Sequence, residues 1–204
     1  MGRSLIVCVL LLGSALLPRA LPVTTALHAQ SASWSIARAI DIRVACPLTV
    51  GGSFEAKSSS ALTGSYRFSP EGTAAGDGVL AFDLRTLKTG IALRDTHLRE
   101  NYLEVDKSDD FAQATLSRIQ LTWQERNGVA GRGTFTGLLR LHGVERPVSG
   151  RMELRRNGAA LRVRATFPVR LPDHAIAKPR YLGVGVQDHV DVQVSFEAVE
   201  EDGR

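Results

Sequence analysis

Hydrophobic and polar residues alternate with a period of two along most of the chain after residue 34, and turn-like segments rich in glycine separate the alternating stretches. Successive side chains of a β-strand point to opposite faces, so each stretch predicts a strand with one apolar and one solvent-facing side. The apolar positions of the six clearest stretches are Ile40, Ile42 and Val44; Leu80, Phe82 and Leu84; Ile119, Leu121 and Trp123; Val148, Met152 and Leu154; Leu161, Val163, Ala165 and Phe167; and Val190, Val192, Val194 and Phe196. The pattern therefore predicts an all-β protein.

Short turn sequences between the predicted strands indicate antiparallel hairpins. Asn127-Gly128 and Asn157-Gly158 are typical of two-residue hairpin turns, and we expect Gly76-Asp77-Gly78 and His142-Gly143 to close further pairs. Consecutive hairpins form a meander, which buries its apolar face by closing on itself or by packing against a second sheet. We favour closure into an antiparallel barrel, because a closed sheet has no exposed edge strands.

One stretch departs from this alternation and has the spacing of a helix. Leu98, Tyr102 and Val105 recur at i, i+4 and i+7, which is typical of one helical face. Asp95 is a suitable residue to cap the N-terminus of such a helix. The sequence thus predicts one short helix over residues 94–105, lying across one end of the barrel as a plug or lid.

The first 29 residues have the organisation of a secretory signal peptide, which leaves a mature domain of residues 30–204. A basic start precedes an apolar run from Leu5 to Leu17, and small residues follow at Thr24, Ala26 and Ala29. The run is shorter than the roughly 20 apolar residues that span a membrane, although an uncleaved N-terminal anchor stays open as an alternative. We therefore expect a periplasmic or secreted protein.

Removal of this segment changes the net charge and the cysteine content. The full chain carries a formal charge of +4, and the loss of Arg3 and Arg19 leaves 23 of its 25 basic residues against 21 acidic ones. A charge this close to zero gives no reason to expect a nucleic-acid partner. Cys46 would be the one remaining cysteine. Two interpretations stay open: a buried, inert thiol, or a disulfide between two chains that would give a homodimer.

No motif in the sequence indicates catalysis. The chain contains no GxSxG, no HExxH and no glycine-rich phosphate loop. Asp95 and His97 could form an acid–base pair, but such spacing is common by chance and no nucleophile, ligand set or cofactor motif accompanies it. We therefore expect a noncatalytic protein without a cofactor or a metal.

Five arginines on two adjacent predicted strands form a basic outer face: Arg151, Arg155, Arg156, Arg162 and Arg164. One interpretation is a solvated face with acidic partners nearby, and the other is a surface that docks a protein or makes peripheral contact with anionic lipid head groups. The second interpretation supports an alternative function, a secreted protein-interaction module whose barrel interior is packed.

Three segments resemble the YceI-like family of exported lipid-binding proteins. The first reads GIALRDTHLRENYLEVDKSDDFAQATL over residues 90–116, with Arg-Asp, His-Leu and aromatic-Leu pairs before a strand. The second is GTFTGLLRLHGVERPVSGRMEL over residues 133–154, a strand, a His-Gly-Val turn and a second strand, and the third is the closing strand VGVQDHVDVQVSFEA over residues 184–198. The chain is similar to a divergent member of this family over about residues 50–198.

The resemblance implies a lipocalin-like antiparallel β-barrel of about eight strands that binds a polyisoprenoid, or another long-chain isoprenoid or acyl lipid, in an apolar tunnel. Arg94 and Asp95 are expected to attach the helix to the barrel rather than to contact the ligand. We predict ten wall residues from the alternation and two residues at the mouth: Leu80, Phe82, Ile119, Leu121, Trp123, Met152, Val163, Phe167, Val192 and Val194 in the wall, with His97 and Tyr102 at the mouth.

Overall fold

Antiparallel strands make up most of the structure, a computed structural model that describes residues 32–59, 62–68, 74–181 and 184–201. The strands are β1 (Ala32–Pro47), β2 (Ser53–Ser58), β3 (Leu62–Phe68), β4 (Ala74–Ala75), β5 (Asp77–Asp83), β6 (Gln113–Asn127), β7 (Ala130–Leu141), β8 (Val144–Asn157), β9 (Ala160–Arg170), β10 (Arg180–Tyr181), β11 (Val184–Gly185) and β12 (His189–Glu200). The all-β prediction is confirmed. The predicted signal peptide, residues 1–29, lies outside the described residues.

Eight of these strands close into an antiparallel barrel. Their order is β1, β3, β5, β6, β7, β8, β9 and β12, and β12 returns to pair with β1 along most of its length. The opposite edge of β1 is divided, because its first half pairs with β3 and its second half with β2. The closed antiparallel barrel expected from the alternation is therefore confirmed.

Three of the four predicted turns connect neighbouring strands. Asn127-Gly128 lies between β6 and β7, His142-Gly143 between β7 and β8, and Asn157-Gly158 between β8 and β9. The prediction of a turn at Gly76-Asp77-Gly78 is wrong, because β4 and β5 both pair with β6 and the chain continues along it. Gly76 serves a different purpose there, since a Cβ atom would lie 2.5 Å from the ring of Tyr66.

The predicted helix exists, but its bounds differ from 94–105. Helix α1 spans Ala92–His97 and continues as a π-helical turn over Leu98–Tyr102, and a second short helix, α2 (Asp109–Ala112), precedes β6. Ile91 occupies the N-cap position that we assigned to Asp95. The Asp95 carboxylate instead accepts hydrogen bonds from the backbone N–H and the hydroxyl of Thr89, both at 2.6 Å, and so attaches the helix to the segment before it.

A β-bulge in β6 changes which of its residues face the interior. Arg118 and Ile119 lie opposite the single residue Gly137 of β7, and Arg118 has a φ of 48°, in the left-handed region. An extra residue shifts the side-chain alternation by one position. Leu116 therefore faces inward before the bulge and Ile119 faces inward after it.

The two ends of the barrel interior differ in how they are filled. Large side chains pack together at the end where β1 begins and β6, β8 and β12 finish, which we call the packed end. Its buried residues include Trp34, Tyr66, Ile119, Leu121, Phe135, Met152, Leu154 and Leu161. Space is left at the other end, where β1 finishes and α1 crosses the barrel, and we call it the cavity end.

Candidate ligand cavity

An apolar cavity of about 220 Å³ occupies the cavity end of the barrel. All eight barrel strands except β8 contribute to its wall, and so do β2, the helical segment and the loop before β12. The strand residues that line it are Ile42, Val44, Cys46, Phe54, Ala56, Leu62, Leu80, Phe82, Ala114, Leu116, Leu139, Leu141, Ala165, Phe167, Val169, Val190, Val192, Val194 and Phe196. An apolar protein cavity of about 150 Å³ stays dry and binds benzene, so this one has room for a segment of hydrocarbon chain.

Two phenylalanines separate the cavity from the packed end. The rings of Phe135 and Phe167 meet edge to face, with centroids 5.6 Å apart and an interplanar angle of 89°. Gly150 of β8 makes room for them, because a Cβ atom there would lie 2.7 Å from an atom of each phenylalanine. Phe167 lines the cavity and Phe135 is buried behind it, so this pair forms the cavity floor.

The helical segment covers the opposite side of the cavity. Leu98 and Tyr102 of the π-helical turn line it together with Leu103, which is buried. Arg94 of α1 also lines the cavity, and its guanidinium carbon lies 4.4 Å from the centre of the Phe54 ring on β2. The sequence expectation for Arg94 therefore holds only in part, because its side chain contacts the barrel and also borders the cavity.

Two buried histidines connect the helical segment with neighbouring turns. His142, in the turn between β7 and β8, lies between the Glu104 carboxylate at 3.0 Å and the carbonyl oxygen of His174 at 3.2 Å. His174 in turn contacts the carbonyl oxygen of Val144 at 3.0 Å. Burial lowers the pKa of His174 from its ordinary value, so the folded state favours its neutral form. These contacts hold the residues after α1 against the mouth of the barrel.

The thiol of Cys46 forms part of the cavity wall. Burial raises its pKa to about 11, although the positive charge of Arg94 acts in the opposite direction. The thiol therefore stays protonated at neutral pH and unreactive, because the thiolate is the nucleophilic form. This location agrees with the interpretation of Cys46 as a buried, inert residue.

Six of the twelve residues that we predicted from the sequence line the cavity: Leu80, Phe82, Tyr102, Phe167, Val192 and Val194. The other six do not line it: His97, Ile119, Leu121, Trp123, Met152 and Val163. All of the latter except His97 pack at the far side of the cavity floor, because alternation identifies inward positions without showing which end of the barrel is hollow. His97 is half-buried on α1. Contact between any of the twelve and a ligand stays a prediction.

The sequence analysis missed several residues of the wall. Ile42 and Val44 alternate clearly and could have been assigned to it, as could Phe54 and Ala56 of β2. Arg94 gave no such signal, because its charge favours an exposed position in any assignment from polarity alone.

The basic outer face contains acidic partners. Glu153 accepts from Arg155 at 2.7 Å, and Glu197 binds both Arg162 and Arg38. The hydrogen bond from Arg162, followed by that from Arg38, lowers the pKa of Glu197 to about 2. These contacts favour the interpretation as a solvated face, and docking of a partner on it stays a prediction.

Comparison with known proteins identifies the family of this barrel. The family model of the YceI-like domain matches residues 30–198. The chain belongs to the YceI-like family. No curated protein matches the sequence.

Solved structures of other proteins have the same barrel fold. A polyisoprenoid-binding domain from Saccharophagus degradans, implicated in plant cell wall breakdown, is 14% identical, with a TM-score of 0.57 over 82% of this chain and 98% of that one. BcnA of Burkholderia cenocepacia is 17% identical, with a TM-score of 0.55 over 78% and 95% of the two chains. At this identity the two structures establish the barrel fold alone.

The family and the apolar cavity support the expectation of a binding protein. Among the described residues, no group of three or more His, Cys, Asp or Glu side chains comes together as a potential metal site. None of the helices in the described ranges is long and apolar enough to cross a membrane.

Proposed function

We propose that this protein is exported and carries or sequesters a polyisoprenoid or another long-chain amphiphile, whose tail lies in the cavity. The observation that carries the proposal is the cavity of about 220 Å³ with an almost entirely apolar wall at one end of the barrel. The polyisoprenoid-binding domain from Saccharophagus degradans supports this choice of ligand. The apolar N-terminal run supports export.

The energetics favour a chain-like ligand. Each methylene group moved from water into an apolar wall contributes about 0.8 kcal/mol. Association itself costs roughly 4–15 kcal/mol, so a short hydrocarbon binds weakly and a chain that fills the cavity binds well. We therefore expect affinity to rise with chain length until the cavity is full and then to level off.

The first experiment is to purify the protein lacking residues 1–29, extract its lipids, and titrate it with farnesol, geranylgeraniol and hexadecanol. Native mass spectrometry should show either a co-purified lipid or uptake of one alcohol per chain. Protein that is recovered empty and takes up none of the three alcohols would contradict the proposal. Cell fractionation of the full-length protein tests export, and retention in the cytoplasm would contradict that part.

Neighbouring residues on β5 provide a matched pair of variants. Leu80 lines the cavity, whereas Val79 is 48% exposed on the other face of the same strand. Leu80→Gln places an amide without a partner in the apolar wall, at a cost of about 1–3 kcal/mol, and should weaken hexadecanol binding about tenfold. Val79→Gln should leave binding unchanged, and equal effects of the two variants would place the ligand elsewhere.

Two expectations about partners stay predictions of this proposal. Exposed Ile91 and Leu93, 51% and 65% accessible at the start of the helical segment, support peripheral contact with a membrane from which a lipid is loaded. Cys46 lies in the cavity wall, so the structure gives no support to a homodimer linked through it.

A further inference from the structure

Arg94 differs from every other cavity-lining residue in the described part of the chain, because its side chain alone carries a formal charge. It lies on α1, between the apolar interior and the edge of β2, with its guanidinium over the Phe54 ring at 4.4 Å. Phe54 also borders an open polar groove outside the cavity, whose other charged residues are Glu55, Lys57 and Lys88. Arg94 therefore stands where the apolar cavity meets a polar rim.

Within the described ranges, the guanidinium of Arg94 has neither a carboxylate partner nor a hydrogen bond. The adjacent carboxylate, Asp95, accepts from Thr89 twice. Burial acts to raise its pKa, but these bonds and the charge of Arg99 together outweigh burial and lower the pKa below its ordinary value.

Several other arginines in the described ranges have a carboxylate partner, such as Arg140 with Asp110 at 2.9 Å. Arginines of these ranges without one, such as Arg151 and Arg164, lie at exposed positions, whereas Arg94 is half-buried.

A partly buried guanidinium without an anion loses hydration and regains only a cation–π contact, worth roughly 0.5–2 kcal/mol. A buried charge is stable only when it is paired and hydrogen-bonded, so a half-buried guanidinium also gains from an anionic partner. An occupant of the cavity that ended in an acidic group would supply the missing partner. The charge of Arg94 also reaches the cavity wall, since it acts on the thiol of Cys46.

We infer that Arg94 binds the acidic head group, a carboxylate or a phosphate, of a single-chain amphiphile whose tail occupies the cavity. The planar guanidinium can donate two parallel hydrogen bonds to either anion. Lys57 and Lys88 add positive charge at the rim, although Lys57 also pairs with Glu55 at 2.9 Å. This inference rests on the proposed function, because it requires a chain in the cavity.

The test compares matched pairs of ligands that differ in the head group. Palmitate and hexadecanol form one pair, and farnesyl phosphate and farnesol form the other. We expect the unmodified protein to bind at least one acid about tenfold or more tightly than its matching alcohol, as charge-assisted hydrogen bonds predict. A preference in the palmitate pair alone identifies a carboxylate, and one in the phosphate pair alone identifies a phosphate.

Three variants assign the preference to Arg94. Arg94→Gln should abolish it by weakening acid binding about tenfold while leaving alcohol binding within about twofold, and Arg94→Lys should retain part of it. Arg99→Gln, on the same helical segment but outside the cavity lining, should preserve it. Thermal unfolding of each variant provides a check on folding.

The outcomes distinguish failure of the head-group inference from failure of the carrier proposal. If alcohols bind and acids bind no better, or if Arg94→Gln weakens acids and alcohols equally, Arg94 is not a head-group site while the carrier proposal stands. If neither class binds, the carrier proposal fails and the inference fails with it.

Discussion

Replacing Ala165 by leucine tests whether the cavity end of the barrel is hollow. Ala165 lines the cavity on β9, where a larger side chain has space to enter. Ala198 on the neighbouring strand β12 is 4% exposed and belongs to the packed core without lining the cavity. The two alanines therefore form a matched pair on adjacent, hydrogen-bonded strands, one beside empty space and one surrounded by atoms.

The expected effects on stability have opposite signs. Leucine adds three carbons, so that Ala165→Leu should raise the free energy of unfolding by up to about 2 kcal/mol at about 0.8 kcal/mol per buried methylene. Ala198→Leu overfills a packed site and should lower it by about 1–3 kcal/mol. Ala165→Leu should also weaken hexadecanol binding, because the added atoms occupy space that the chain needs.

Urea unfolding of the ligand-free variants measures this difference, and a titration with hexadecanol measures the binding. A shift of 1 kcal/mol moves the melting temperature of a domain of this size by about 2–4 °C, so a thermal scan also resolves the two variants. The reasoning is refuted if Ala165→Leu destabilises the protein as much as Ala198→Leu does, since the site would then be packed.

Three further predictions concern the cavity floor, the wall thiol and the buried histidine. Gly150→Ala should lower the free energy of unfolding by more than about 1 kcal/mol, because a Cβ atom would lie 2.7 Å from both floor phenylalanines, and urea unfolding that matches the unmodified protein would contradict this. Cys46 has a pKa of about 11, so iodoacetamide at pH 8 should modify the folded protein slowly, and a bound chain should slow it further; rapid labelling would show that the thiol is accessible. Burial lowers the pKa of His174 below the ordinary 6.5, so the unfolded chain takes up a proton first as the pH falls. The stability that this group contributes is therefore complete above about pH 6.5 and is lost below it, and urea unfolding from pH 7.5 to 5 should show a steeper fall in stability for the unmodified protein than for His174→Gln.

The alternation of side chains was sufficient to predict six of the barrel strands, because each of them buries one face along much of its length, whereas β7 was expected only from the family resemblance. Ile42, Val163 and Val192 all belong to strands that the pattern identified, and the Asn-Gly turns located the hairpins between them. The barrel strand β3 and the short strands β2, β4, β10 and β11 were not predicted. Each of the short strands has too few residues to show several periods of alternation. β2 and β4 pair with the longer strands β1 and β6, whereas β10 and β11 pair with each other.

The helical segment shows how tertiary contacts override a local signal. The spacing of Leu98, Tyr102 and Val105 correctly indicated a helix, but α1 begins at Ala92 and the π-helical turn ends at Tyr102. Asp95 has the residue type of an N-cap, yet its carboxylate is used three residues inside the helix to hold Thr89. A capping residue and an anchoring carboxylate have the same appearance in a sequence, and the packing of the preceding segment decides between them.

Which end of the barrel is hollow depends on the volumes of residues that are far apart in the chain. Phe135, Phe167 and Gly150 come from three strands, and together they close the cavity on one side. The bulge at Arg118 then changes the inward face of β6, so the same strand supplies small Ala114 to the cavity and larger side chains to the packed end. Period-two alternation predicts neither the phenylalanine floor nor the bulge in β6, because it describes one strand at a time. The position of the cavity is therefore a property of the assembled barrel, and substitutions at its floor should change how much chain the protein can hold without changing which residues face inward.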